Sequence, residues 1–182
     1  MSVMTNILNK TKVYLIGAME YENGEGWRNK VKETLNPLGI TTFDPYHKPF
    51  VDFISEDEEA RRMLKTWMVD SEFDKVAERM KDVRRDDLRL VDLSDFFIVY
   101  INPKIPSWGS AEEIYWANRL KKPIFLFVEG GKTKTPLWIM GTIPHKYIYN
   151  SLEEILDTLK KIDGGEKAID SDRWRLLKEE YR

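Results

Sequence analysis

Five short apolar runs, separated by stretches of helical periodicity, constrain the folding of this 182-residue chain more than any other feature. K-V-Y-L-I-G (Lys12 to Gly17), Ile40 to Phe43, D-F-F-I-V-Y-I (Asp95 to Ile101), P-I-F-L-F-V (Pro123 to Val128) and a weaker Tyr147 to Tyr149 read as strands. Their bulky, β-branched composition without polar alternation is that of strands buried on both faces, as in parallel sheets. Between the first two lies G-W-R-N-K-V-K-E-T-L-N-P-L-G, a helix closed by Pro37 and Gly39. Glu56 to Arg85 is charged, with apolar residues at Met63, Leu64, Trp67, Met68, Phe73, Val76, Ala77 and Met80, a spacing that predicts one or two helices with one buried face. Asp86 to Ser94 leads into the third strand, and Ser110 to Leu120 follows it as a helix. Ser151 to Ile162 is helical, opened by Ser151 with Glu154 three residues on, the capping-box pattern. The alternation predicts an α/β protein: a single-domain, doubly wound (Rossmann- or flavodoxin-like), mostly parallel five-stranded sheet flanked by helices. The domain is expected over residues 1–162. D-G-G-E (Asp163 to Glu166) then forms a hinge, and residues 163–182 end as a short helix or tail that packs on a neighbouring subunit.

The chain carries 29 basic against 31 acidic residues, a balance that argues against polymeric nucleic acid or an anionic membrane as the main partner and favours a small polar ligand. Cysteine is absent, which removes disulfides, thiolate metal sites and a cysteine nucleophile together. The two histidines, His47 and His145, lack ligand spacing, so neither a metal nor another cofactor is expected. The first residues have no apolar run of signal-peptide length and no segment is long enough to span a bilayer, which points to a soluble, cytoplasmic protein. Gly130-Gly131-Lys132-Thr133 lacks P-loop spacing and reads as a turn.

Chemistry concentrates in S-W-G-S-A-E-E-I-Y-W-A (Ser107 to Ala117), a small-residue turn and helix start directly after the third strand. Ligands of open α/β sheets bind at this carboxyl edge. Glu113, an acid on the helix start at this edge, is therefore the residue with the strongest claim to be chemical. Its place in the first helical turn would help keep it ionised through the helix dipole. Gly109, Ser110 and Ala111 leave room for a ligand to approach the backbone. The purely structural alternative is a capping box, with Ser110 capping the helix and Glu113 reaching back to its amide. Glu112 reads as a solvated acid. Asp87 is the candidate acid, close enough to a second carboxylate to have its pKa raised, although R-R-D-D-L-R equally suits a charged helix face and Asp86 adjoins it.

From Lys12 to about Met140 the sequence resembles the nucleoside 2-deoxyribosyltransferase family, including its nucleotide N-glycosidase relatives. The resemblance lies in K-V-Y-L-I-G-A, in D-L-R-L-V-D-L-S-D (Asp87 to Asp95), in S-W-G-S-A-E-E-I-Y-W-A, and in K-K-P-I-F-L-F after it. It implies that Glu113 takes the place of the nucleophile and Asp87 that of the aspartate handling the leaving base. Tyr14 and Gly17 then fall in the segment lining the sugar and base pocket. P-L-W-I-M-G (Pro136 to Gly141), which includes Met140, resembles the segment lent to a neighbour's active site, with Trp138 where a transferase commonly has asparagine. A homo-oligomer, at least a dimer, is implied.

Ser107 stands where base-exchanging members often carry aspartate; the nucleotide hydrolases have serine there, in contact with a 5′-phosphate. Arg28, or the amides of Gly17 and Ala18, would complete such a site. The implied activity is cleavage of the N-glycosidic bond of a 2′-deoxynucleoside or its monophosphate through a glycosyl–glutamate intermediate, with transfer to a second nucleobase. A nucleoside 5′-monophosphate N-glycosidase and a non-catalytic nucleotide-binding or sensing module are the alternatives. The aromatics Trp108, Tyr115 and Trp116 suit either base stacking or core packing. The longer stretch between Pro45 and Arg85 suits either a cover for the pocket or an extended dimer face.

Overall fold

A computed structural model of the chain describes residues 6–17, 19, 25–50, 56–105, 107–168 and 172–174. Five strands form one sheet: β1 (Lys12–Gly17), β2 (Thr41–Phe43), β3 (Phe96–Ile101), β4 (Ile124–Val128) and β5 (Ile148–Tyr149). Their order is β2-β1-β3-β4-β5 and every pairing is parallel. β4 is buried along its whole length and β1 at all but Lys12, so these strands could not alternate polar and apolar residues. Tyr14 pairs with Phe97 and Gly17 with Tyr100, which brings the carboxyl ends of β1 and β3 level.

The helices are α1 (Gly26–Leu35), α2 (Glu58–Val69), α3 (Phe73–Leu93), α4 (Trp108–Arg119), α5 (Leu137–Thr142) and α6 (Leu152–Asp163). α1 passes into a short 3₁₀ turn and stops at Gly39, whose φ of +78° requires glycine; a Cβ there would lie 2.2 Å from the Asn9 amide oxygen. α6 buries Leu152, Ile155, Leu156, Leu159 and Ile162, one apolar stripe at helical spacing. Ser151 Oγ accepts from the Glu154 amide at 3.3 Å as the capping pattern predicts, while the Glu154 carboxylate accepts from the Asn150 amide, one residue before the cap.

Three expectations are corrected. The helix predicted to end near Arg85 runs on to Leu93, because Val83, Asp86, Leu90 and Val91 continue its buried face. The apolar residues between 63 and 80 do not form a buried stripe: Met68, Phe73 and Met80 are exposed, and Leu64, Trp67 and Val76 only half-buried. Of these residues Leu64 and Met80 turn onto a cavity. Trp174, expected in a tail packed on a neighbour, is buried in this chain's own core against Phe96 and Phe125 at ring-centroid distances of 5.3 and 6.0 Å; residues 175–182 lie outside the described residues. Asp163 ends α6 and accepts from the Leu8 amide at 2.8 Å, tying the two ends of the domain together. Among the described residues no helix is long and apolar enough to cross a membrane.

Candidate active site

The chain winds to β2 on one side of β1 and to β3, β4 and β5 on the other, so the switch point lies between β1 and β3. A crevice opens at the carboxyl ends of such neighbours. Here it is a cavity of about 350 Å³ between Tyr14 and Gly17 of β1, the start of α4, and the facing sides of α2 and α3. Described residues of the 45–85 stretch thus line the cavity, with Leu64, Met80 and Val83 supplying its apolar part.

Glu113 lines this cavity and is buried. Ser107, not Ser110, caps α4: its Oγ accepts from the Ser110 amide at 3.3 Å and its carbonyl from the Ala111 amide at 3.1 Å. Capping from the earlier serine starts the helix at Trp108 and places Glu113 six residues past the cap, in the second turn. The capping-box alternative is therefore corrected: the Glu113 carboxylate accepts not from a helix amide but from the Tyr14 hydroxyl, at 2.6 Å. The helix dipole also acts on it less than a first-turn position would allow.

Burial, above all, and then the charge of Asp87 push the Glu113 pKa up to about 8, against the Tyr14 hydrogen bond. Burial and then Glu113 hold the Tyr14 phenol well above its ordinary range, so it remains a donor. Asp87, on α3, also lines the cavity; burial and then Glu56 raise its pKa to about 6 while Lys48 opposes the rise. Asp86, its neighbour, accepts instead from the Arg85 guanidinium at 3.2 Å. The two acids titrate far enough apart that near neutral pH the pair holds one proton, the inventory of one acid and one carboxylate.

Sequence reasoning missed the groups organising these acids. Lys48 Nζ lies 2.8 Å from Asp87 Oδ1 and 2.6 Å from Glu56 Oε1, with its side chain fully buried. Burial disfavours its charge, but Asp87 and Glu56 more than offset that and hold its pKa above the ordinary lysine value. Glu56 lies in an acidic run that reads as solvated surface, and Lys48 belongs to no motif; only the tertiary fold brings them together.

Among the other expected residues, Ser107, Gly109 and Gly17 line the cavity; a Cβ on Gly17 would lie 3.0 Å from the Tyr100 carbonyl oxygen, a close approach that a larger residue would meet only by shifting the backbone. Arg28 does not line it. Its guanidinium is fully buried, donates to the Gly17 carbonyl at 2.7 Å and pairs with Asp44 at 3.7 Å, bracing the end of β1. Burial lowers its pKa, and Asp44 opposes the shift. Met140 is half-exposed on α5, away from the cavity, beside the strongly exposed Leu137 and Trp138. Ala18 lies outside the described residues. Glu112 is a half-buried acid outside the cavity lining that accepts from Arg84 Nε at 2.7 Å. Trp108 is exposed at the cavity edge, while Trp116 donates to Asp92 Oδ1 at 3.0 Å. No grouping of three or more histidine and carboxylate side chains among the described residues could hold a metal ion.

Neither protein-family models nor characterised protein sequences give a match to the chain. Solved structures do. The fold is similar to that of a 2-deoxyribosyltransferase from the psychrotolerant bacterium Bacillus psychrosaccharolyticus, with a TM-score of 0.54 and 21% identity over 81% of this chain and 91% of that one. A CMP N-glycosidase from Clostridium botulinum matches at a TM-score of 0.47 and 21% identity, over 82% of this chain and 98% of that one. The chain therefore has the α/β fold of a 2-deoxyribosyltransferase.

Proposed function

We propose that the chain is a nucleoside 2-deoxyribosyltransferase-like enzyme that cleaves the N-glycosidic bond of a 2′-deoxynucleoside or its monophosphate and transfers the sugar to a second nucleobase. The observation that carries this reading is Glu113: a buried carboxyl group at a cavity wall, hydrogen-bonded to Tyr14 and electrostatically coupled to Asp87.

In the first half-reaction a Glu113 carboxylate oxygen attacks C1′ as the C1′–N bond breaks. The bonding pair leaves with the base, and Asp87 delivers the proton to the departing nitrogen. The one proton of the acid pair must then reside on Asp87, and its move there from Glu113 gives the nucleophile its charge. Burial that disfavours a naked Glu113 carboxylate is relieved when it becomes a neutral ester. In the second half-reaction the nitrogen of an incoming base attacks C1′, the ester bond breaks, Glu113 regains its charge and Asp87 takes the proton back. Tyr14 stabilises the carboxylate whenever it is free. No cofactor is needed. Exposed Leu137, Trp138 and Met140 on α5 suit the expected contact with a second subunit.

The reading is tested by incubating 2′-deoxynucleosides with a different free base and following both bases chromatographically. Exchange, with the new deoxynucleoside appearing as the old base is released, is expected. Release that needs no acceptor and yields free sugar would favour the N-glycosidase instead. No base release from any 2′-deoxynucleoside and none from any of their 5′-monophosphates would overturn the reading.

A pH dependence follows as well. Below about 6 both acids of the free enzyme are protonated and the nucleophile is lost; above about 8 both are ionised and no proton remains for the base. The pH profile of kcat/KM should therefore be bell-shaped with limbs near those values. A profile flat from about pH 5 to about pH 9 would mean that these groups do not carry the reaction.

A further inference from the structure

Lys48 is not among the residues lining the cavity, and its side chain is fully buried, yet its ammonium lies between two acids that do line it. Burying an ammonium is costly, and an apolar side chain of similar volume can serve a fold as well. The contact with Asp87 is also one-sided. Asp87 Oδ1 is closed off from solvent and faces Lys48 Nζ at 2.8 Å, which leaves Oδ2 as the oxygen that meets the cavity. A proton on Oδ1 would point at the hydrogens of the ammonium, so the acid form of Asp87 carries its proton on Oδ2. Glu56 Oε1 accepts from the same ammonium at 2.6 Å and settles the remaining charge. With Asp87 protonated, Lys48 stays paired to Glu56; with Asp87 ionised, the two acids share it.

We propose that Lys48 and Glu56 are positioning residues for proton delivery: Lys48 holds Asp87 Oδ1 so that the proton for the departing nitrogen sits on Oδ2, and Glu56 balances the ammonium while that proton is in place. This rests on the reading that Asp87 protonates a leaving base. When the proton passes from Oδ2 to the base nitrogen, Lys48 meets the carboxylate so formed; when the incoming base returns a proton to Oδ2, the lysine falls back on Glu56. The pair also acts on both cavity acids in opposite senses, Lys48 drawing the pKa values of Asp87 and Glu113 down and Glu56 drawing them up. The other charged or titratable groups around these acids are Asp86 beside Asp87 on α3 and Tyr14 of β1, and Arg61 and Arg79 also line the cavity.

The test compares Lys48→Met, Lys48→Arg and Glu56→Gln with the wild type, all as the full chain, by the pH profile of base release and by carbon NMR titration of the side-chain carboxyl groups. Both limbs of the profile, and the Asp87 and Glu113 titrations with them, are expected to move up by roughly one pH unit or more in Lys48→Met and down in Glu56→Gln. In Lys48→Met kcat should fall about 10–10²-fold with KM little changed, and less for a donor whose leaving group needs no proton; Lys48→Arg should recover part of the loss. Glu56→Gln keeps the pair of Lys48 with Asp87, so its downward shift decides the matter if Lys48→Met does not fold. Titrations that stay in place or move the same way in both variants, or equal losses of kcat on both donors, would overturn the proposal, and base release by the wild type would leave the glycosidic reading intact. Opposite shifts by NMR in a protein that releases no base from any donor would support the control of the acids by Lys48 and Glu56 and overturn that reading.

Discussion

Replacing Glu113 with glutamine is expected to abolish turnover, lowering kcat at least about 10³-fold, while raising stability. Glutamine keeps the volume and can still accept from the Tyr14 hydroxyl, so the cavity should hold its shape. What it lacks is a charge able to bond to C1′. The stability gain has a definite pH dependence. The folded carboxyl group keeps its proton up to about pH 8, against an ordinary value of 4.5. Between those values the folded state binds more protons than the unfolded state, so this group's contribution destabilises progressively as pH rises and levels off above about 8. Glu113→Gln removes that penalty. The gain should be small near pH 5, on the order of 2–4 kcal/mol above neutrality, and visible as a rise in Tm of roughly 5–15 °C. Thermal denaturation of both proteins at acidic and alkaline pH checks this. An inactive variant that is also less stable would identify Glu113 as a structural group; an equally active variant would remove it from the chemistry.

The second large effect concerns Asp87. Asp87→Asn should lower kcat/KM by roughly 10²–10⁴-fold for ordinary nucleobases, because an amide cannot deliver the proton that the departing nitrogen requires. The loss should shrink for a glycosyl donor whose leaving group is weakly basic and needs no proton. Comparing the two donors separates proton delivery from general damage, since a misfolded or blocked cavity would slow both equally. Lys48, held between Asp87 and Glu56, makes the asparagine variant a demanding one. Removing one acid leaves the lysine paired to the other, so circular dichroism should show an intact fold. Equal losses on both donors would reassign Asp87 to the structural support of Lys48.

The sheet was legible because its strands are continuous apolar runs that can only be buried on both faces. Their order, and with it the crevice between β1 and β3, was not, because parallel pairing with right-handed crossovers allows more than one order. Motif spacing singled out Glu113 and Asp87, and the fold brings both to one cavity. Their surroundings were not legible. Which of two serines caps α4 is decided by how far the helix can extend backward, and that one choice moves Glu113 from the first turn to the second and from a helix amide to Tyr14. Arg28 looked like a surface helix residue or a phosphate ligand, yet it is consumed by the Gly17 carbonyl and Asp44, partners distant in sequence. Glu56, Arg61 and Arg79 lie in charged stretches whose composition is that of a solvated surface. Only the packing of α2 and α3 over the edge of the sheet makes a cavity wall of them, and an amphipathic pattern does not distinguish a face turned to a core from one turned to a ligand.

The central claim is a covalent bond between the sugar and Glu113, and it is tested most directly by trapping it. Wild-type protein is mixed with a 2′-deoxynucleoside or its 5′-monophosphate in the absence of acceptor base, quenched in acid within the first turnover, and digested for mass spectrometry. The expected result is one deoxyribosyl group, phosphorylated if the donor was, on the peptide containing Glu113, lost on adding a free base before the quench and absent from Glu113→Gln. Full base release in the first turnover with the Glu113 peptide unmodified, or the sugar on another residue, would contradict it.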